Sequence, residues 1–216
     1  MPDDIVMRRI EIGLVLTTAA IFLAIPKPPD ATLPMAVFIP TCISFWAFFL
    51  IWRVRADPAL KTQWGLVPSA HLGPLGARLG PLLVLLVAAG CAYALTTGQP
   101  LIADYLWVSM VLYPLWGGIQ QWLVQCLIVD NARALTGAGL PWLMALGAIG
   151  FGAIHIQHPM LVIATGIMGA VYVYLFQRWR NLWPLAVCHG WLGSLFYPWV
   201  LHLNPMAEIL GVVLDS

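Results

Sequence analysis

The sequence predicts an all-α integral membrane protein with about seven transmembrane helices in a single bundle. Of its 216 residues, 61% are hydrophobic and only 9% are charged, whereas soluble domains carry about 25% charged residues. The mean hydropathy is +0.87. Its apolar runs approach the length of about 20 residues that one membrane crossing requires. Proline- and glycine-rich joins such as PKPPD, TTGQP and LTGAGLP separate these runs, as expected of helix breakers.

Seven apolar segments are predicted to cross the membrane in chain order. They are residues 10–26, 33–54, 79–97, 101–129, 140–156, 159–177 and 182–203. Between the second and third, residues 55–78 include Pro58, Trp64 and Pro74. This composition predicts a cytoplasmic loop with a short interfacial helix. We therefore expect residues 1–216 to form a single polytopic domain.

The first segment could be interpreted in two ways. Arg8 and Arg9 precede it, as basic residues precede the apolar region of a signal peptide. Asp3 and Asp4 precede these arginines, and acidic residues at this position favour a retained helix. We expect a retained first span.

Basic residues favour one orientation in the membrane. With alternating spans, nine of the ten Lys and Arg side chains fall on one face, and only Lys27 falls on the other. The nine are Arg8, Arg9, Arg53, Arg55, Lys61, Arg78, Arg133, Arg178 and Arg180. Because cytoplasmic loops carry the excess of basic residues, we expect a multi-pass cell-membrane protein. Its N-terminus would be cytoplasmic and its C-terminus non-cytoplasmic.

Several partner classes and chemistries lack support in the sequence. A formal charge of +1 argues against a nucleic-acid partner. The cysteines at positions 42, 91, 126 and 188 are far apart in apolar runs, where thiols usually behave as small hydrophobes. No H-e-x-x-H zinc motif, G-x-S-G serine motif or Gly-x-Gly-Asp aspartyl motif occurs. Asp104 and Asp130 lie near the ends of the fourth span, so no span centre supplies a carboxylate base.

Polar side chains at membrane depth are the candidates for a functional site, because they are costly in hydrocarbon. Gln120, Gln121 and Gln125 interrupt the fourth span, and spacings of one and four residues place them on one broad helix face. His155 and His189 lie in later spans. Each residue alone could serve only in hydrogen bonding between helices. Together they indicate a buried polar site.

These residues belong to three motifs, GGIQQWLVQ, FGAIH and NLWPLAVCHGWLG. Their order and spacing resemble the CAAX protease and bacteriocin-processing family, also called the CPBP or ABI family. That family carries Glu-Glu-x-x-x-Arg, Phe-x-x-x-His and His-x-x-x-Asn on successive spans. The motifs cover roughly residues 101–200, and residues 101–203 are the predicted CPBP/ABI-like core.

The resemblance implies a catalytic role for the three motifs, whose glutamates and histidines are thought to activate a water. This water would attack a peptide bond in a prenylated or other hydrophobic substrate. Here Gln120 and Gln121 stand at the glutamate positions, and Gln125 stands at the arginine position. An amide resembles a carboxyl group in shape but cannot act as a base, so the site would be neutralised as a unit.

The second and third motifs match the family pattern more closely than the first. Phe151 and His155 match the second motif, and His189 matches the third, whose Asn position is Gly193. At 1.5 Å per residue, Gln120, His189 and His155 would lie about 14, 10 and 22 Å from the inner ends of their spans. They would share a cavity only if the fifth span began lower or were displaced by the loop before it.

Three functions remain open. The first is a protease-fold protein with a neutralised site, acting as a non-catalytic subunit of a membrane complex or as a binding protein for a hydrophobic, lipid-like ligand. The second is an active CAAX-type intramembrane endopeptidase with altered catalytic residues. The third is a pigment- or cofactor-binding membrane protein that uses its histidines. No cofactor is identified. His155 and His189 alone provide too few ligands for a metal that prefers three or four.

Overall fold

The computed structural model describes residues 2–25 and 32–204, and within them every regular element is helical. The all-α prediction is therefore confirmed. The α-helices are α1 Pro2–Ala24, α2 Thr32–Ala56, α3 Leu60–Gln63, α4 Leu72–Thr96, α5 Leu106–Trp122, α6 Asn131–Thr136, α7 Leu140–Ile154, α8 Pro159–Trp179 and α9 Trp183–Phe196. The π-helical segments Leu123–Asp130 and Tyr197–Leu201 continue α5 and α9. Lys27 and Ser216 lie outside the described residues.

Three helical segments are long and apolar enough, by length and composition, to cross a membrane. They are Val37–Ala56, Leu72–Thr96 and Pro159–Trp179. Helix α7 is apolar but has only 15 residues. At 1.5 Å per residue it spans about 22 Å, less than the roughly 30 Å of a hydrocarbon core. The protein is thus an all-helical membrane protein with spans of unequal length.

The fourth predicted span is the one whose boundaries differ most from the helix. Predicted as residues 101–129, it begins at Leu106, passes through the π-helical segment without a break and ends with α6 at Thr136. Gly137 ends it with a φ of +69°, a left-handed conformation that glycine adopts without strain. The sequence did not reveal this extension, because "NARALT" is polar although it is helical.

Glycines bring two pairs of helices into close contact. A Cβ atom on Gly190 of α9 would overlap the backbone nitrogen of Pro114 in α5. One on Gly147 of α7 would lie 3.0 Å from the carbonyl oxygen of Gly169 in α8. Small residues allow such approach of helices in membranes, where van der Waals packing replaces the hydrophobic effect. The α5–α9 and α7–α8 pairs carry the motif residues.

The segment 55–78 is packed against the bundle. It contains α3, as predicted, and Leu60 and Trp64 are buried in the core. Asn181 is fully buried and donates a hydrogen bond to the carbonyl oxygen of Pro68 at 3.0 Å. The backbone N–H of Leu182 donates to the carbonyl oxygen of Gly65, also at 3.0 Å. These bonds fix the start of α9.

A polar network joins α1 and α2 to the end of the π-helical segment. Glu11 is only 2% exposed and pairs with Arg53 at 2.8 Å. The Asn131 amide donates to the other Glu11 carboxylate oxygen at 2.7 Å, and Arg8 donates to Asn131 Oδ1 at 3.0 Å. Of the basic residues that predict membrane orientation, Arg53 is therefore also the structural partner of a buried carboxylate, and Arg8 joins the same network through Asn131.

A second polar cluster joins the π-helical segment to the end of α8. Asp130 is buried and forms an ion pair with Arg180. Gln177 donates to the same carboxylate at 2.7 Å, and Arg133 donates to Gln177 Oε1 at 2.7 Å. These contacts hold the polar ends of α6 and α8 together.

The cysteines agree with their prediction as buried hydrophobes. Cys42, Cys126 and Cys188 are buried, and Cys91 is partly buried. All four are free thiols.

Candidate functional site

A cavity of about 470 Å³ opens between α4, α5, α7, α8 and α9, with single side chains from α1 and α2 at its edge. This volume lies within the range of about 300–1,000 Å³ typical of small-molecule sites. Most of its wall is aliphatic or aromatic, and none of the described side chains that line it is charged. Its polar residues include Gln120, His155 and His189.

Gln121 and Gln125 lie beside the cavity wall and are both completely buried. The amide nitrogen of Gln125 donates to Gln121 Oε1 at 3.2 Å, and that of Gln121 lies 3.0 Å from His189 Nδ1. The two amides and the imidazole therefore form one chain of hydrogen bonds. Gln125 Oε1, at the end of this chain, has no hydrogen-bond partner in the described part of the protein.

With the two amides in these orientations, this chain assigns the proton of the neutral His189 to one nitrogen. An amide nitrogen only donates hydrogen bonds, so His189 Nδ1 must accept one. A ring nitrogen that accepts carries no hydrogen, and the neutral imidazole then has its proton on Nε2. His189 Nε2 makes no other hydrogen bond in the described residues. It is a donor on a side chain that lines the cavity.

His155 has the opposite arrangement. It is the residue that follows α7, and its Nδ1 lies 2.8 Å from the carbonyl oxygen of Phe151. A carbonyl oxygen only accepts, so Nδ1 carries the proton and Nε2 has the lone pair. Phe151 is buried between the two histidines, with its ring centroid 5.5 Å from that of His189.

Gln120 and Gly193 complete the positions of the three motifs. Gln120 is partly buried and lines the cavity, and no hydrogen bond of its side chain occurs within the described residues. Gly193 also lines the cavity, and a Cβ atom there would lie 3.1 Å from the ring of Tyr113. The position of the family's asparagine is thus already occupied in part by a neighbouring aromatic ring.

The helix register explains why His155 and His189 share one cavity despite their unequal predicted depths. The extension of the fourth span to Thr136 places Gln120 about 24 Å from its end at 1.5 Å per residue, close to the value of about 22 Å for His155. The Asp130–Arg180 ion pair sets the level of α9. From it, Gln121 and His189 are the same number of residues away on their two segments, and these two side chains meet.

Sequence reasoning missed two residues beside the histidines. Thr165 of α8 donates to the carbonyl oxygen of Phe151 at 3.1 Å, and its hydroxyl lies 3.4 Å from His155 Nδ1. Tyr172 is buried, with its ring centroid 6.2 Å from that of His189. Thr165 is a polar residue in an apolar span and could have been selected by the criterion that selected the glutamines. Tyr172 carried no comparable signal.

Metal-ligand chemistry has few donors here. Among the described residues no group of three or more His, Cys, Asp and Glu side chains is arranged to hold a metal ion. One nitrogen of His189 and one of His155 are already engaged in the hydrogen bonds above. Any metal would require further ligands, since zinc takes three or four.

The fold and the site define an all-helical membrane protein with a polar cluster at the wall of an uncharged cavity. Residues 102–195 match the family model described as type II CAAX prenyl endopeptidase, Rce1-like. The resemblance that the three motifs indicate is therefore confirmed over these residues, which are similar to the CAAX protease family. No curated protein and no solved structure matches the chain.

Proposed function

We propose that this protein is a CAAX-protease-fold membrane protein whose site is neutral and non-catalytic. It would bind a hydrophobic, lipid-like ligand or serve as a subunit of a membrane complex. The observation that carries this proposal is the hydrogen bond from the Gln121 amide to His189 Nδ1. It makes His189 a donor toward the cavity, where a catalytic base would have to accept a proton.

The tautomer of the His189 imidazole depends on the group beside its Nδ1. A carboxylate beside a histidine accepts a hydrogen bond from Nδ1–H and leaves Nε2 as the basic nitrogen. An amide nitrogen in that place selects the other tautomer. In the Ser-His-Asp triad the analogous Asp-to-Asn change lowers kcat by about 10⁴ while preserving geometry. We expect Gln121 to suppress base catalysis by His189 in the same way.

The first motif also carries no charge at any of its three polar positions. The family's arginine position is Gln125, which is completely buried and donates to Gln121. A buried arginine without an acid partner would be strongly unfavourable. Replacement of both acids and of the arginine therefore leaves no unpaired charge in this part of the bundle.

The alternative is an active endopeptidase with altered catalytic residues. The observation that favours it is that Gln120, His155 and His189 line one cavity. A third candidate, pigment or cofactor binding, depends on the same two histidines, since neutral imidazole is a good axial ligand.

A cleavage assay separates the first two functions. The purified protein in mild detergent would be incubated with hydrophobic peptide substrates, with and without a prenyl group. We expect no cleavage above that of the His155→Ala and His189→Ala variants. Cleavage that disappears in either variant would show an active enzyme and overturn the proposal. An absorbance spectrum of the same preparation would reveal a bound pigment.

Glutamates introduced at the first two glutamine positions test whether the site can support protease activity. The Gln120→Glu, Gln121→Glu double variant should stay inactive, because two adjacent carboxyl groups beside buried residues resist ionisation without a cation. Adding Gln125→Arg supplies that cation, so the triple variant is the fair test of protease competence. Activity in the double variant would contradict this electrostatic account.

A further inference from the structure

We propose that the cavity binds an uncharged, single-chain lipid whose head group is a hydrogen-bond acceptor, held by the Nε2–H of His189. A fatty ester or a long-chain ketone has this chemistry. The inference rests on the proposed non-catalytic function, because it assigns His189 to binding and names the class of ligand.

The head-group preference follows from His189. Its Nδ1 accepts from Gln121 at 3.0 Å, so Nε2 carries the hydrogen. His189 lines the cavity and is only partly buried, and no hydrogen bond of its Nε2 occurs within the described residues. An accessible N–H donor in an apolar wall selects an acceptor.

The absence of charge on the head group follows from the side chains that line the cavity. None of the described side chains that line the cavity is an acid, an arginine or a lysine. The completely buried amides of Gln121 and Gln125 provide no net charge behind His189. A carboxylate, phosphate or ammonium group would lose its hydration here without gaining an ion pair, which is strongly unfavourable. A neutral carbonyl loses far less.

The number of alkyl chains in the ligand follows from the size and the lining of the cavity. The cavity holds about 470 Å³, which suits one alkyl chain or one ring system and not the two chains of a phospholipid. Its wall includes Tyr93, Trp116 and Trp199. These aromatic surfaces provide the apolar contact for the chain.

The test compares four ligands with the same chain length. Purified protein would be equilibrated with methyl palmitate, palmitate, hexadecane or cetyltrimethylammonium, and the retained ligand quantified by native mass spectrometry. We expect methyl palmitate to be retained several-fold to tenfold better than hexadecane, as one net hydrogen bond provides. Both charged ligands should be retained less than the ester.

Two histidine variants test the role of His189. His189→Phe keeps a ring but removes the donor, so the preference for ester over alkane should disappear. His202→Phe is the matched control, because His202 is exposed, follows the π-helical segment Tyr197–Leu201 and does not line the cavity. It should keep the preference.

The inference and the proposed function fail separately. Equal retention of ester and alkane, or better retention of palmitate or the ammonium compound, would overturn the inference even if no peptide is cleaved. Peptide cleavage would overturn the proposed function whatever ligand is retained. The four-ligand comparison on the unmodified protein decides the inference if His189→Phe does not fold.

Discussion

Gln120 and Gln121 are neighbours in the chain but occupy different environments. Gln121 is completely buried and bonded on both sides, to Gln125 and to His189. Gln120 is partly buried at the cavity wall. Adjacent residues of a helix point about 100° apart, so only one of the pair can face α9. At the residue scale, two side chains of the same type are therefore divided between a buried position in the hydrogen-bonded chain and a position at the cavity wall.

This division predicts unequal effects of alanine substitution. Gln121→Ala removes the acceptor of Gln125 and the donor to His189, and leaves buried polar groups unsatisfied. We expect it to lower the free energy of unfolding by about 1–3 kcal/mol. Gln120→Ala should change it by less than about 0.5 kcal/mol, as substitutions outside such networks do. Thermal unfolding in mild detergent would measure both, and equal losses would contradict the assignment.

Contact between helices in this protein depends on glycine at positions where backbones meet. Gly190 lies against the backbone of Pro114, and Gly117 lies near His189, whose Cδ2 atom would be 3.1 Å from an added Cβ. The same α5–α9 pair carries the Gln121–His189 contact. At the scale of elements, the distance between these helices sets the hydrogen bond on which the proposed function rests.

Gly190→Ala should therefore separate α5 from α9. Because the added methyl group meets backbone and not a movable side chain, we expect a loss of about 1–3 kcal/mol, typical of overpacking. The control is Gly80→Ala in α4, which has no atom within 4 Å of the added Cβ. It should stabilise the protein by roughly 0.5–1 kcal/mol, since alanine is the better helix former. Similar unfolding temperatures for the two variants would be evidence against close backbone packing.

At the scale of the whole molecule, buried charge connects the first two helices to the family-like core. Glu11 is in α1, Arg53 is in α2 and Asn131 begins α6, and their side chains form one network. Arg53 also lies 5.9 Å from the ring centroid of Trp64, within reach of a cation–π contact. The N-terminal helices are thus held to the core by polar contacts as well as by packing.

Removal of Arg53 should be more damaging than removal of a neighbouring basic residue. Arg53→Ala leaves the Glu11 carboxylate buried without its cation, and we expect a loss of about 3 kcal/mol. Arg55→Ala is the matched control, because Arg55 is exposed, and its effect should stay within about 0.5 kcal/mol. Glu11→Gln combined with Arg53→Met should recover part of the stability, and failure to do so would indicate that packing dominates.

The membrane orientation remains a prediction for the whole chain. Arg8, Arg53, Arg133 and Arg180 all take part in the polar networks around the end of the π-helical segment. Because basic residues concentrate on the cytoplasmic side, we expect a reporter inserted in residues 55–78 to be cytoplasmic. A reporter fused after Ser216 should be non-cytoplasmic. Reporters on the same side would overturn the seven-span arrangement.

The fold class was predictable because hydrocarbon imposes its requirements on every residue of a span. Apolar runs, helix-breaking residues and basic residues between the runs are local properties of the sequence. They located the helices, with errors mainly at the helix ends. The polar candidates were also predictable, since a glutamine or histidine in an apolar run is conspicuous at any register. The extension through "NARALT" was not predictable, because contacts with Glu11 and Arg8 stabilise Asn131.

The sequence by itself determined the helical membrane fold, the order of the three motifs and the presence of three glutamines in the first of them. Only the tertiary structure decided which glutamine faces His189, which histidine nitrogen carries the proton and which residues share the cavity. The physical reason is that composition and periodicity act within one helix. A hydrogen bond between helices depends on their register and separation, and here the Asp130–Arg180 pair and the glycine contacts fix both.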